Sequence, residues 1–340
     1  MTSFNLVACA TIGGNFIKFI GGIIWHPKNH YFSKEPLLLQ RSSYSKKSFS
    51  FISIPHHKVY HSKMINKFFR FAYHGSSSGY LIMTGKDNSF ILINPFTRRK
   101  MVINNSVFEV DFSCFACKVL LAFCRGSEEF VLLVLCRDSN DLHVYQSRSF
   151  SWVTYLTPQK VVDFVVLQST IYVVTNKANI GIVNLNSTNI NFLELKTTIQ
   201  VHFVSYAHVG LVSCDGHLLV LHIMSKVTFN VYKIDFSTMD YVKLKTLGDI
   251  ALFYAPQRKY YALSNPRMWG YENNSVYVID VACEKYTLFK GDVDKLPELI
   301  LPIVLIAQYP PLHPGPQPKQ PYLDWCFRHI RNKVDYSLVE

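Results

Sequence analysis

Short runs of β-branched and aromatic residues begin at Tyr80, Phe130, Ile171, Leu218 and Val276, so their starts lie 50, 41, 47 and 58 residues apart. From residue 49 onward the apolar pattern has a period of two, which places successive side chains on opposite faces of an extended strand. Turn-like polar sequence separates the runs. Within residues 161–195 the segments VVDFVVL, TIYVVT, NIGIVNL and INFLEL read as four strands joined by one to a few polar residues. Residues 217–247 repeat the pattern as HLLVLHI, TFNVYKIDF and YVKLKTL, preceded by GLVSCD. A recurrence of about 40–50 residues with four strands per unit is what propeller blades produce. The expected fold is therefore all-β, a β-propeller of five or six blades, with a β-sandwich as the runner-up. No long amphipathic helix interrupts the series.

One unit shows its local logic clearly. In GSSSGYLIMTGKDNSFILINPFTRRK (75–100), the runs YLIM (80–83) and FILI (90–93) flank a polar turn that contains Gly85 and Asn88, residues that tolerate positive φ. That is a hairpin. Asn94-Pro95 ends its second strand, because proline has no amide to donate and the residue before it favours extended geometry.

Composition supplies the core and limits the partners. Hydrophobic residues make up 49% and charged residues 17% of the 340, ample material for a large folded unit. The net charge of +12 is concentrated in residues 1–110, where 14 Lys and Arg face three acids. Those basic residues are scattered among strands rather than stacked on one helix, which argues against nucleic-acid binding and for a solvated basic surface.

No constellation of catalytic or ligand-binding residues emerges. The eight cysteines show no disulfide framework and read as reduced thiols. Cys114 and Cys117 have the spacing of a zinc knuckle, but no second pair follows and CFACKVLLAFC reads as a strand. Of His56, His57 and His61, the last two lie at opposite ends of the short strand KVYH, with no carboxylate nearby to join them. Asp138 and Asp141 belong to a turn, DSND, whose side chains cap their own backbone. A propeller enzyme would need paired carboxylates or a metal shell in its channel, and the acids here are few and dispersed. No phosphate-binding loop or nucleophile elbow occurs. The expectation is a protein that is not an enzyme, with no catalytic residues, no cofactor and no metal.

Both ends depart from the repeat. FNLVACATIGGNFIKFIGGIIW (4–25) is long enough to reach into a bilayer, but Asn5, Asn15, Lys18 and two Gly-Gly pairs weaken it as a span. No acid precedes Glu35, which suits an organellar targeting segment as well as a degenerate remnant or a mis-assigned gene start. Residues 309–321 hold six prolines in 13 positions, the composition of an extended spacer. After it, Leu323, Phe327, Ile330 and Val334 recur at steps of four, three and four, which predicts a short helix over 322–340. The expected organisation is a divergent segment at 1–34, a propeller at 35–308, a Pro-rich linker at 309–321 and that helix.

GSSSGYLIM (75–83), ILINPFTRRKMVI (91–103), LVSCDGHLLVLHI (211–223), FNVYKIDFSTMDYVKLKTLGDIALF (229–253) and NNSVYVID (273–280) occur in that order. The co-linear set resembles the plant F-box-associated β-propeller domain, a plant domain of unknown function of the brassinosteroid-kinase-inhibitor type. The resemblance singles out Gly75, Ser76, Ser77, Gly79, Tyr80, Asn94, Pro95, Phe96, Thr97, Gly248, Asp249, Asn274 and Tyr277 as family-motif positions with architectural roles. It implies a protein-interaction module related to substrate receptors of SCF-type ubiquitin ligases, working in the cytoplasm or nucleus. The partners implied are a target protein and the ligase adaptor. Residues 1–34 depart from the pattern, since they lack the Leu-Pro start and the length of a normal F-box. Some relatives without an F-box resemble organelle-directed proteins, so the resemblance also admits a mitochondrial or other organellar propeller with no ligase role.

Overall fold

A computed structural model of the chain describes residues 9–12, 15–20, 23–25, 36–42, 48–56, 58–61, 68, 70–85, 87–104, 106, 108, 117–124, 129–136, 141–199, 208–223, 229–255, 259–280, 285–290, 298–301, 322–327 and 337–338. Six sheets form the blades of a propeller, and a separate three-stranded sheet of Cys9–Ile12, Asn15–Ile20 and Ile23–Trp25 precedes them.

Blade 1 joins the two ends of the chain: Tyr322–Phe327 pairs antiparallel with Pro36–Ser42, which continues into Ser48–Ser53 and Lys58–His61. Blade 2 comprises Ala72–Ser77, Tyr80–Thr84, Phe90–Ile93 and Lys100–Ile103. Blade 3 comprises Cys117–Cys124, Phe130–Cys136, Leu142–Gln146 and Ser151–Tyr155, with Ser337–Leu338 added in parallel beside Cys117–Cys124. Blade 4 comprises Val161–Leu167, Thr170–Thr175, Ile180–Asn184 and Asn189–Phe192, and blade 5 His208–Cys214, His217–Ile223, Phe229–Asp235 and Asp240–Lys243. Blade 6 has five strands in the spatial order Lys259–Ser264, Ile250–Ala255, Ser275–Asp280, Lys285–Lys290 and Glu298–Leu301. Here Ile250–Ala255 runs parallel to Ser275–Asp280, the one parallel pair within a blade's own hairpin series. The reversal between them passes through the 3₁₀ turn Pro266–Trp269, bounded by Asn265 and Gly270 in left-handed conformations at φ 49° and 79°.

The core is divided among the six seams. One buried apolar cluster lies between each pair of neighbouring blades, and alternate residues of a strand enter opposite clusters. Leu37 and Leu39 pack against Tyr73, Leu81 and Met83 of blade 2, whereas Leu38 packs with Ala251 and Phe253 of blade 6. Tyr80 and Ile82 join Leu132 and Val134, while Val131 and Leu133 turn the other way toward Val166, Ile171 and Val173. Leu218 and Val220 meet Val174 and Ile180; Leu219 and Leu221 meet Leu252 and Val276. Strands buried on both faces read as continuous apolar runs. That is why FVLLVLC and HLLVLHI carry hydrophobic residues at consecutive positions although the side-chain period is two.

The expected C-terminal helix is corrected over residues 322–327, which form a β-strand. Its apolar residues were misleading because positions four apart share a face in a strand as well as in a helix. Trp325 and Phe327 enter the seam between blades 6 and 1, and Cys326 the seam between blades 1 and 2. The residues between separate the two readings: a helix would expose some of 324–326, yet Asp324, Trp325 and Cys326 are 1%, 0% and 0% exposed. The expected linker at 309–321 lies outside the described residues.

Replacing Trp325 by alanine should lower the unfolding free energy by about 3–5 kcal/mol, the cost of emptying a large aromatic site. Urea denaturation checks it; a change within about 0.5 kcal/mol, the range of surface substitutions, would contradict the packing described.

Candidate functional site

One strand of each blade stands beside its counterpart around the ring: residues 322–327, 72–77, 117–124, 161–167, 208–214 and 259–264. On these inner strands the apolar pattern is broken by ionisable groups. Two Lys–Asp pairs sit at opposite seams of the ring, Lys118–Asp163 between blades 3 and 4 at 3.1 Å, and Lys259–Asp324 between blades 6 and 1 at 3.0 Å. Their surroundings repeat across the three-blade offset. In each pair the aspartate Oδ1 accepts the amide of the following aromatic residue, Phe164 at 3.0 Å and Trp325 at 2.8 Å. In each, Oδ2 accepts a donor from the next blade, the Leu211 amide at 3.0 Å and the Tyr73 hydroxyl at 2.8 Å. Each lysine lies over a tyrosine ring, Lys118 at 5.4 Å from Tyr260 and Lys259 at 5.3 Å from Tyr73. Each carboxylate thus bridges three blades.

The Lys259–Asp324 end is the drier one. Lys259 also donates to the carbonyl of His74, and Tyr261 donates to Asp324 Oδ1 at 3.4 Å. Burial pushes Lys259 down from the ordinary ammonium range, against the pull of Asp324. Burial, reinforced by the charge of Asp324, holds the Tyr73 and Tyr261 phenols well above their usual range, so both remain donors. At the other end burial pushes Asp163 up, opposed by the Lys118 ammonium and by the amides it accepts.

The GSSSG segment is built into the same ring. A side chain at Gly75 would run into the Lys259 ammonium, which Asp324 and the His74 carbonyl hold in place. Ser76 donates to the Trp325 carbonyl of blade 1 at 2.7 Å, and Ser78 to the Leu121 carbonyl of blade 3 at 2.6 Å. Ser77 accepts the Leu121 amide at 2.9 Å. Ser78 and Gly79 then turn the chain with φ of 52° and 75°, delivering Tyr80 into the seam between blades 2 and 3.

The remaining motif positions lie in turns and seams away from this network. Asn94 Oδ1 accepts the amides of Phe96 and Thr97, each at 2.9 Å, closing the turn that contains Pro95. Phe96 packs on Phe51 at 5.3 Å. Asn274 Oδ1 accepts the Leu247 amide at 2.7 Å, next to Gly248 at φ 58°. Asp249 accepts the Asn273 side chain at 2.5 Å. Tyr277 stacks on Phe253 at 5.0 Å, and its oxygen accepts the Glu272 amide at 2.9 Å.

The two ion pairs escaped the sequence reading. A signal was present: each aspartate interrupts an apolar strand and precedes an aromatic residue, in VVDFVVL and in YLDWCF. Among the described residues no group of three or more His, Cys, Asp or Glu is arranged to hold a metal ion, and no helix is long and apolar enough to cross a membrane. Cys117 lies in a strand, while Cys114 and Asp138 lie outside the described residues.

Substituting Lys259 by methionine should cost about 3–5 kcal/mol, because it strands Asp324 in a buried site. Adding Asp324→Asn should recover part of that loss. Denaturant melts of the single and double variants check both; a K259M chain as stable as the parent would contradict the pairing.

The KIB1-4 beta-propeller family model matches residues 51–295. No functionally curated protein matches the sequence. Among solved structures, AztD from Citrobacter koseri aligns at 12% identity over 56% of this chain, with a TM-score of 0.37. This chain spans only 50% of the AztD chain. Selenomethionine-substituted virginiamycin B lyase from Staphylococcus aureus aligns at 13% identity over 69% of this chain and 70% of its own, TM-score 0.39. The RRP9 WD40 repeats align at 12% identity over 69% of this chain and 82% of theirs, TM-score 0.37. With a six-bladed ring and a family match over more than two thirds of its length, the chain belongs to the KIB1-4 β-propeller family.

Proposed function

We propose that this chain is a non-catalytic protein-interaction propeller, related to the substrate receptors of SCF-type ubiquitin ligases and working in the cytoplasm or nucleus. The observation that carries this reading is the engagement of the inner-ring carboxylates. Asp163 and Asp324 each hold a lysine, a backbone amide and a donor from a third blade. A general acid or base needs a carboxyl group within reach of substrate and able to exchange a proton. These two are 7% and 1% exposed and serve to join blades. Binding then falls to the outer surface, where Phe150 and Leu156, 82% and 80% exposed, flank the outer strand of blade 3. Large apolar side chains presented to solvent at both ends of one strand suit protein contact better than small-molecule chemistry.

A second reading, an organellar propeller of the same family with no ligase role, is favoured by the absence of any acid before Glu35. Retention of the purified SCF adaptor on the immobilised full chain separates the two. The chain lacking residues 1–34, which keeps the paired strand Pro36–Ser42, serves as comparison. The ligase reading predicts retention that is lost with residues 1–34; no retention by the full chain would contradict it and leave the organellar propeller.

A further inference from the structure

Cys117, Cys136, Cys214 and Cys326 carry free thiols, and they fall into two kinds. Cys214 and Cys326 are solitary in the seams, and burial pushes both thiols up to about 12. A thiol of that acidity stays protonated near neutrality and is a poor nucleophile. Cys117 and Cys136 are different: they face each other directly across the first hairpin of blade 3, with Sγ atoms 3.0 Å apart. Directly opposed residues of an antiparallel pair have Cα atoms about 4.5–5.5 Å apart, inside the window of about 4.4–6.8 Å that a disulfide accepts. Closing the sulfurs to about 2.05 Å requires a shift of only about 1 Å.

The two sulfurs differ in access. Cys136 is half-buried at the end of its strand, whereas Cys117 is 3% exposed on the inner strand. Cys117 lies near enough to the Lys259 ammonium that its thiolate form would stabilise that charge, as Asp324 does more strongly. The pair therefore has one member open to a small oxidant and the other within electrostatic reach of the buried network that joins blades 6, 1 and 2.

We propose that Cys117 and Cys136 are a redox modification site, oxidised by hydrogen peroxide to a cross-strand disulfide. The Cys136 thiolate attacks peroxide; the O–O bond breaks, Cys136 becomes a sulfenic acid, and the departing hydroxide leaves as water with the proton the thiol gave up. The Cys117 sulfur then attacks the sulfenic sulfur. The S–S bond forms, the S–O bond breaks, and the hydroxyl leaves as water with the Cys117 proton. Two thiols are oxidised by two electrons, and one peroxide is reduced to two waters. The product fixes the inner strand of blade 3 to its neighbour and removes the ionisable group beside Lys259.

The test uses the full-length chain. It is treated with graded hydrogen peroxide, quenched in acid, alkylated with iodoacetamide in denaturant and digested without reductant for mass spectrometry. The expected result is one dominant cross-linked peptide pair joining Cys117 to Cys136, with Cys214 and Cys326 alkylated. The same oxidation in urea should lose that selectivity. Recovery of Cys117 and Cys136 both alkylated would overturn the proposal. So would Cys136 over-oxidised to the sulfinic acid with Cys117 alkylated, or preferential linkage of either to another cysteine. The parent chain alone decides the outcome; C136S, which should leave Cys117 alkylated, adds a control.

Discussion

The propeller depends on one antiparallel pairing between distant parts of the chain. Tyr322–Phe327 meets Pro36–Ser42 in a register that sets Trp325 opposite Leu38 and Cys326 opposite Leu37. A ring of blades has no separate core to retreat to, since each apolar cluster is shared by two neighbours. If the first blade lacked its inner strand, the clusters on both its sides would open at once. Trp325 and Cys326 belong to those two different clusters, so a single short strand closes both. Long-range pairing of this kind is entropically expensive to form and is repaid only when the whole ring is assembled.

Around this closure the inner strands are joined by polar bonds rather than by apolar contact alone. Buried ionic groups are a costly way to hold a structure, because desolvation offsets much of the attraction. Their usefulness lies in direction: a carboxylate that must satisfy a lysine, an amide and a third donor tolerates one arrangement of blades. The recurrence of that arrangement at seams three blades apart gives opposite sides of the ring equivalent fixings. The small residues of the GSSSG segment serve the same end, with hydroxyls that reach blades 1 and 3 from blade 2. Lys118, Asp163, Lys259 and Asp324 are thereby committed to joining the blades.

The strands themselves were legible because each is a local pattern. The four strands of blade 4, those of blade 5 and the hairpin at residues 80–93 follow from apolar runs and turn residues a few positions apart. Residues 322–327 were not, since Leu323 and Phe327 share a face in either a helix or a strand and the preceding prolines read as a spacer outside the blade series. The parallel pair in blade 6 was equally hidden, because nothing local distinguishes a strand that pairs with its successor from one that pairs with the next but one. The ion pairs lie further from reach. Lys259 and Asp324 are separated by 65 residues, and Tyr73 and Asp324 by 251, so Asp324 appears in the sequence as a lone acid in an apolar run and Lys259 as the last of the polar residues QRK, with nothing local to pair them.

The most direct test of this account is hydrogen exchange of the full-length chain, followed by mass spectrometry of the peptide covering residues 322–327. Closure of the ring by this strand predicts amides as slowly exchanging as those of Phe130–Cys136 in blade 3, since both would open only with global unfolding. Exchange within the time of an unstructured tail would contradict it and leave the propeller closed by some other means.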